Sequence, residues 1–404
     1  MKIGTVYGRL SAELDDYLED LGMRVEKGPL RAMGELVRGI LLTGSVQLTN
    51  AARLLASTSA GLAEAVNRLD HHLSNPRWDH RGWVEGLRRR LMAPVTDDEL
   101  IPIDATELAK PYARKMQYTC TVRDASRPGD PLVTGYWCWG AYRWRPDVAG
   151  GTLAALSLRP YSTRQPGFRS ENDTWGRLAW ELHQAMGDRG IWLSDRGADR
   201  PEVLSVWLRL RPRWIIRLRE DRRLIGPDGT VRPAGVWADW GLQQRPPRGR
   251  AVTVPVRLPA RDVPQTGPPA PLWLVVPTYT FGNDERWVLL TRGLIDHHTG
   301  PRQVRYDYAA RWRSEDAKRF LGQVWHVERF LTRDFLALER LLWCVVAASG
   351  FVARLQEDQP QLIQALQAPI VYWKKPVKVP CYRLSQGLLT AVRREGPATL
   401  AVNA

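Results

Sequence analysis

The segment Ile101–Lys110, IPIDATELAK, opens as an apolar run and breaks off on a carboxylate, Asp104, with Thr106 and Lys110 close behind. A short apolar run of this kind, bounded by polar residues, reads as a buried strand. A lone aspartate at a strand end is usually a turn former. Its meaning depends on whether other carboxylates stand in equivalent places, and one does: IWLSD is a second apolar run that finishes on an acid, Asp195.

Around these two stretches the hydrophobic period changes. Residues 1–95 carry apolar positions at spacings of three and four, in LRAMGELVRGILL and LTNAARLLASTSAGLAEAVNRLDHHL, and so predict helices. Thr49 is the expected N-cap, and ASTS splits the second stretch into two helices, which fit either a helix-turn-helix or one layer of a helical bundle. From residue 100 strand alternation takes over in LIPIDAT, QYTCTVRD, VTGYWCWGAYRW and GTLAALSLRP, predicting an antiparallel meander. ENDTWGRLAWELHQAMGDRG predicts an amphipathic helix stopped by Gly190, and RPEVLSVWLRL another, with Asp199 as its N-cap. Residues 220–283 are dense in Gly, Pro and Arg, lack helical periodicity and alternate like strands in VTVPVRL and LWLVVPTYTF. Two long helices are expected between 305 and 355, followed by a basic tail with one short helix.

Composition narrows the function. A net charge of +15 points to a polyanionic partner, nucleic acid first. Cys120, Cys138, Cys344 and Cys381 form no CxxC pair, which argues against a structural zinc site or a disulfide framework and fits a reducing cytoplasm. No apolar signal core opens the sequence, and LLWCVVAASGFVA is too short to span a bilayer, so a cytoplasmic protein with no membrane partner is expected. The Asp-His-His triplets at 70–72 and 296–298 read as surface turns, because adjacent side chains point apart.

A third acid lies late in the chain. Tyr308, Arg311, Glu315 and Lys318, spaced by three, four and three, share one helix face, while Trp312, Phe320, Leu321 and Val324 lie elsewhere and are expected to pack the helix down. Such a face is either a salt-bridged surface or built around a polar ligand. Taken with Asp104 and Asp195, Glu315 completes three carboxylates on separate rigid elements, the donor set a two-metal phosphoryl-transfer site needs. Oxygen-only ligands fit Mg²⁺, with Mn²⁺ able to substitute, better than zinc. No convincing Ser-His-Asp or Cys-His set accompanies them.

IPIDATELAK, WLSDRGADR and YAARWRSEDAKRF resemble the three acidic motifs of DDE transposases from bacterial insertion sequences. The gaps of 91 and 120 residues between the acids are similar to those of the branch with a Y-x2-R-x3-E-x6-K signature. Tyr308, Arg311 and Glu315 match its first three positions; Gly322 stands where its Lys belongs, leaving Lys318 or Arg319 to substitute. The resemblance implies an α/β fold, with an RNase H-like mixed-sheet core (96–219 and 284–356) interrupted by a β-rich insertion (220–283). An all-α DNA-end-binding domain (1–95) would precede the core, and a basic region (357–404) would follow it. It further implies that Asp104, Asp195 and Glu315 bind two metal ions and catalyse cleavage and strand transfer on double-stranded DNA, at transposon ends and target, in a homodimeric complex.

Phosphate contacts are expected from Tyr308, Arg311, Lys318, Arg319, Thr106 and Lys110. Arg211, Arg213, Arg217 and Arg219, odd-numbered in RLRPRWIIRLREDRR, are expected to line one face of a strand. Relatives that pass through a DNA hairpin steady it with an aromatic residue, for which Trp237, Trp240 and Trp273 are candidates. The rival readings are a transposase-derived DNA-binding protein without catalysis and another RNase H-like endonuclease.

Overall fold

In the computed structural model the apolar positions of the first ninety residues form five helices: α1 (Ile3–Asp20), α2 (Pro29–Thr43), α3 (Leu48–Ala52), α4 (Ser59–Ser74) and α5 (Arg81–Met92). The alternating stretches follow as β1 (Leu100–Ala109), β2 (Cys120–Arg123), β3 (Leu132–Arg145) and β4 (Thr152–Tyr161). Then come α6 (Glu171–Met186), β5 (Ile191–Ser194), α7 (Pro201–Leu210), β6 (Arg213–Arg217), β7 (Arg223–Ile225), β8 (Val231–Pro233) and α8 (Ala234–Gln244). The chain continues through β9 (Ala251–Val256), β10 (Leu272–Pro277), β11 (Leu289–Arg292), α9 (Pro301–Ala309), α10 (Arg313–Gln323), α11 (Phe335–Asp358) and α12 (Pro360–Gln367). The structure describes residues 3–26, 28–125, 127–148, 151–244, 251–263, 271–277, 286–295, 300–367, 386, 387, 389 and 390. The second Asp-His-His triplet, Cys381 and most of the basic tail lie outside them.

The chain divides into two units, one of residues 1–92, 105–168 and 315–404, the other of residues 93–104 and 169–314. In the first, α11 packs against α2, α4, α5 and β4. By length and composition this helix is long enough to cross a membrane, because it extends beyond the apolar run read from the sequence. In this unit it is a core helix, with 83% of its apolar window buried. Each Leu, Val or Phe it buries contributes about 1.5–3 kcal/mol.

Arg340 is fully buried on α11, where its guanidinium donates to the carbonyls of His72, Leu73, Asn75 and Trp78 at 3.3, 2.7, 3.0 and 2.7 Å. These belong to the last turn of α4 and the loop beyond it, where helical carbonyls have no partner of their own. Arg340→Met keeps the aliphatic stem and strands those acceptors. It is expected to lower the unfolding free energy by about 2–3 kcal/mol, read from the urea midpoint by circular dichroism.

The same unit holds the antiparallel β2–β3 and β3–β4 pairs, with a register shift at Ala141/Tyr142. The second half of β1 runs beside β3, the amide of Lys110 reaching the Thr134 carbonyl at 2.7 Å.

In the second unit the first half of β1 pairs parallel with β5 and β5 parallel with β6, while β11, β10 and β9 extend the sheet antiparallel from β6. Parallel neighbours need a crossover, and α7 supplies it between β5 and β6. Trp175 of α6, Trp192 of β5, Trp207 of α7 and Trp214 of β6 are all under 2% exposed. Their rings, 5.4–6.4 Å apart around Trp207, fasten both helices to the sheet. Segment 220–283 contributes β9 and β10 to this sheet. It also holds a helix, α8, where no helical period was legible.

Several caps differ from expectation. α6 ends at Gly187, whose φ of 63° takes the left-handed region; Gly190 is needed instead because a Cβ there would meet the Ile101 side chain at 2.8 Å. Gln47 precedes α3, so Thr49 falls inside the helix rather than capping it. Thr58 caps α4 by accepting from the Gly61 amide at 3.1 Å. Arg200 occupies the cap of α7, since the Asp199 carboxylate is turned to other partners.

Candidate active site

The site begins with strand register. Leu100 pairs with Ile191, an offset of 91 residues that is also the separation of Asp104 from Asp195. The paired positions end at Pro102 and Leu193, and one residue on the Ser194 Oγ donates to the Ile103 carbonyl at 3.3 Å, keeping the two segments adjacent. Continuing the register sets Asp104 opposite Asp195 on the same face, with strands about 4.8 Å apart. One strand further, Ser194 pairs with Ile216, which puts Arg217 beside Asp195. Asp104, Asp195 and Arg217 therefore form one row across three parallel strands.

Each acid is held locally. Asp195 Oδ1 accepts from the Gly197 amide at 2.9 Å, capping the short 3-10 turn Arg196–Ala198. The buried Ser314 hydroxyl shares its one proton between the Arg311 carbonyl at 2.9 Å and Asp104 Oδ2 at 3.2 Å, and the same Asp104 oxygen lies 3.6 Å from Arg311 Nη1. Tyr308, 3% exposed, packs edge-on against Trp287 at 5.1 Å. Burial pushes its hydroxyl up to about 12, against the opposing pull of the Arg311 and Arg217 guanidinium groups. The Arg311 and Asp195 side chains are both close enough to act on this hydroxyl electrostatically. The second unit thus gathers Asp104, Asp195, Arg217, Tyr308, Arg311 and Ser314.

The loop after Asp195 is braced by Asp199. Its carboxylate accepts from the Arg219 amide at 2.8 Å and Arg222 Nε at 2.6 Å, and Arg222 Nη2 reaches the Asp199 carbonyl at 2.8 Å. This fully buried acid does structural work that its position before a proline had suggested was helix capping.

Glu315 directly follows Ser314 in the chain and belongs to the first unit, where Lys318 Nζ lies 3.3 Å from its Oε1. Thr106, Lys318 and Gly322 line a small cavity there with Cys138 and Tyr142. Arg319 is exposed. Lys110 departs from its expected phosphate contact: its ammonium is buried, donates to the Glu328 and Phe330 carbonyls and sits 3.6 Å over the Phe330 ring. Burial pushes its pKa down to about 8. Among the described residues no three His, Cys, Asp or Glu side chains form a ready cluster for a metal ion.

The arginine face of β6 also divides. Only Arg213 and Arg217 lie in the strand; Arg211 closes α7, and the Arg219 guanidinium lies 3.6 Å from the Asp199 carboxylate beyond the strand end. Among the tryptophans, Trp237 is buried and donates to the Leu224 carbonyl at 3.2 Å, which removes it as a stacking surface. Trp240 packs against it, ring centroids 5.9 Å apart, and Trp273 lies within β10. Trp312, expected to pack its helix down, is instead 58% exposed with the Arg311 guanidinium 4.5 Å over its ring. Ser314 had no signal beyond its place next to Glu315.

The chain matches no protein-family model and no curated protein. Among solved structures it is similar to the piggyBac transposase synaptic complex with hairpin DNA, at a TM-score of 0.45 and 12% identity, over 98% of this chain and 82% of that one.

Proposed function

We propose that this protein is a metal-dependent DNA transposase that cleaves and joins strands at the ends of a mobile element. The observation that carries the reading is the row of Asp104 in the middle of β1, Asp195 just past β5 and Arg217 at the end of β6, with Arg311 and Tyr308 against it. Hard oxygen donors beside fixed guanidinium groups suit a phosphodiester. The strand plan supports an RNase H-like core: β1 runs beside the β3–β4 hairpin along one half and parallel to β5 along the other, with β6 next.

Asp104 and Asp195 would hold Mg²⁺ or Mn²⁺ together with Glu315, the residue after the serine that donates to Asp104. A divalent ion bound there supplies Lewis-acid stabilisation of phosphoryl oxygens and an acidified water or 3′-hydroxyl. The protein's own groups do the positioning. Ser314 fixes the Asp104 carboxylate, and Arg311 can fork across phosphate oxygens. Tyr308, protonated at neutral pH, remains a donor. Lys318 and Arg319 add point charges on α10, where Gly322 provides none. Helices of residues 1–95 would read the terminal repeats, and two such sites in a homodimer would serve the two ends. The protein would act in the cytoplasm.

The test is a plasmid carrying the native element ends, incubated with and without Mg²⁺. Metal-dependent nicks or breaks at those ends are expected; binding without cleavage in either condition would leave the non-catalytic reading standing. Trp312 is the exposed aromatic of this region, and Trp312→Ala is expected to weaken binding of single-stranded DNA by about 1–3 kcal/mol. Unchanged fluorescence anisotropy isotherms would remove that role.

A further inference from the structure

The second unit has another concave basic feature. A cavity of about 430 Å³ is lined by Arg211, Arg213, Arg292, Asp97, Asp188 and Gly293. It lies at the end of the parallel strands opposite the carboxylate row, because Arg213 pairs with Ile191 at the start of β5 and Arg292 with Trp214.

The three guanidinium groups come from three elements and are set differently. Arg292 Nη1 donates to the carbonyls of Arg211 and Pro212, the latter at 3.1 Å. Arg213 donates to the Asp97 carbonyl and lies 3.6 Å from the Asp97 carboxylate. Arg211 closes α7 with a φ of 61°, a left-handed conformation that favours glycine. Among the described residues its side chain makes no hydrogen bond or ion pair. Three cations face two carboxylates, and burial together with Arg211 pushes the Arg292 pKa down, as crowded like charges do. A strained, exposed arginine completing a cationic pocket is a place where an anion relieves repulsion.

We propose that this pocket is a second phosphate site and takes a backbone phosphodiester of duplex DNA. Arg213 shares a strand face with Arg217, four residues along β6, so the pocket and the carboxylate row are about 13 Å apart along that strand. About four base-pair steps of 3.4 Å cover the same length, so the separation is within the span of one short duplex segment. A free phosphate shares the chemistry, and the experiment separates the two sources.

Arg211→Gly removes the cation while giving the left-handed position its preferred residue, and Arg211→Asn, also tolerant of that conformation, serves as its check. Binding of a short fluorescein-labelled duplex is measured by anisotropy across a salt series without divalent metal, and inorganic phosphate binding by calorimetry. Both variants are expected to bind the duplex several-fold more weakly, with the log Kd against log salt slope shallower by about one, and to lose phosphate binding. Lost phosphate binding with an unchanged duplex isotherm would overturn the DNA assignment in favour of a free phosphate compound. No change in either would overturn the pocket. Because no step requires cleavage, a wild-type protein that fails to cut leaves this readout intact.

Discussion

Asp104→Asn is expected to reduce Mg²⁺-dependent strand cleavage by on the order of 10²–10³-fold, the scale seen when one preorganised charge-stabilising group is removed. Asparagine preserves the shape of the side chain and an oxygen that can accept from the Ser314 hydroxyl. What it removes is the negative charge that faces Asp195 across the row and pairs with Arg311. Metal affinity should fall, and the freed Arg311 should leave duplex affinity intact or slightly raised. The measurement is the rate of product formation at saturating protein, with anisotropy and thermal melting run in parallel. A variant cutting at the wild-type rate would sink the assignment of Asp104 as a ligand; loss of cleavage with a lowered melting temperature would mark a folding defect.

The second large effect is on stability. Asp199→Ala is expected to cost about 3–5 kcal/mol, because removing one partner of a buried pair leaves the other charge uncompensated. The Asp199 side chain is 0% exposed and that of Arg222 8%, and the Arg219 amide loses its acceptor in the same step. Denaturation in urea measures the loss directly. The pair Asp199→Leu with Arg222→Met should recover much of it, since an apolar replacement of both partners avoids the stranded ion. Because Asp199 holds the loop that follows Asp195, Asp199→Ala should also slow cleavage below its melting temperature. Destabilisation under about 1 kcal/mol would show that solvent reaches the pair and screens it, as at surface sites.

The elements that bear on the acids were legible from local signals. The apolar runs leading to Asp104 and Asp195 did form strands, although β1 continues past Asp104 to Ala109; the residues around Glu315 formed α10, but the 3-10 turn Ala310–Trp312, which holds Arg311, separates it from α9 and Tyr308, so the four residues do not share one continuous helix face. Local reading failed where a residue had competing partners. Thr49 has capping chemistry but the helix starts before it, and α8 forms in a stretch whose prolines and glycines masked its period. Lys110 was expected to contact phosphate, yet two carbonyls and an aromatic face draw it inside. Trp312 looked like packing and stands exposed, while Trp237, which offered either packing or stacking, packs.

Alternation and periodicity, which depend on a few neighbouring residues, were enough to assign most strands and the principal helices, and composition was enough for the basic character of the protein. The spacing of Asp104 and Asp195 could be counted, but its significance rests on a ladder between segments 91 residues apart, whose register sets both acids in one row. Only that ladder selects Arg217 as their neighbour and sends Arg211 and Arg213 to the far end of the sheet. Likewise only tertiary packing decides that Asp199 is a brace, because the energy of a buried charge depends on partners that sequence proximity does not supply.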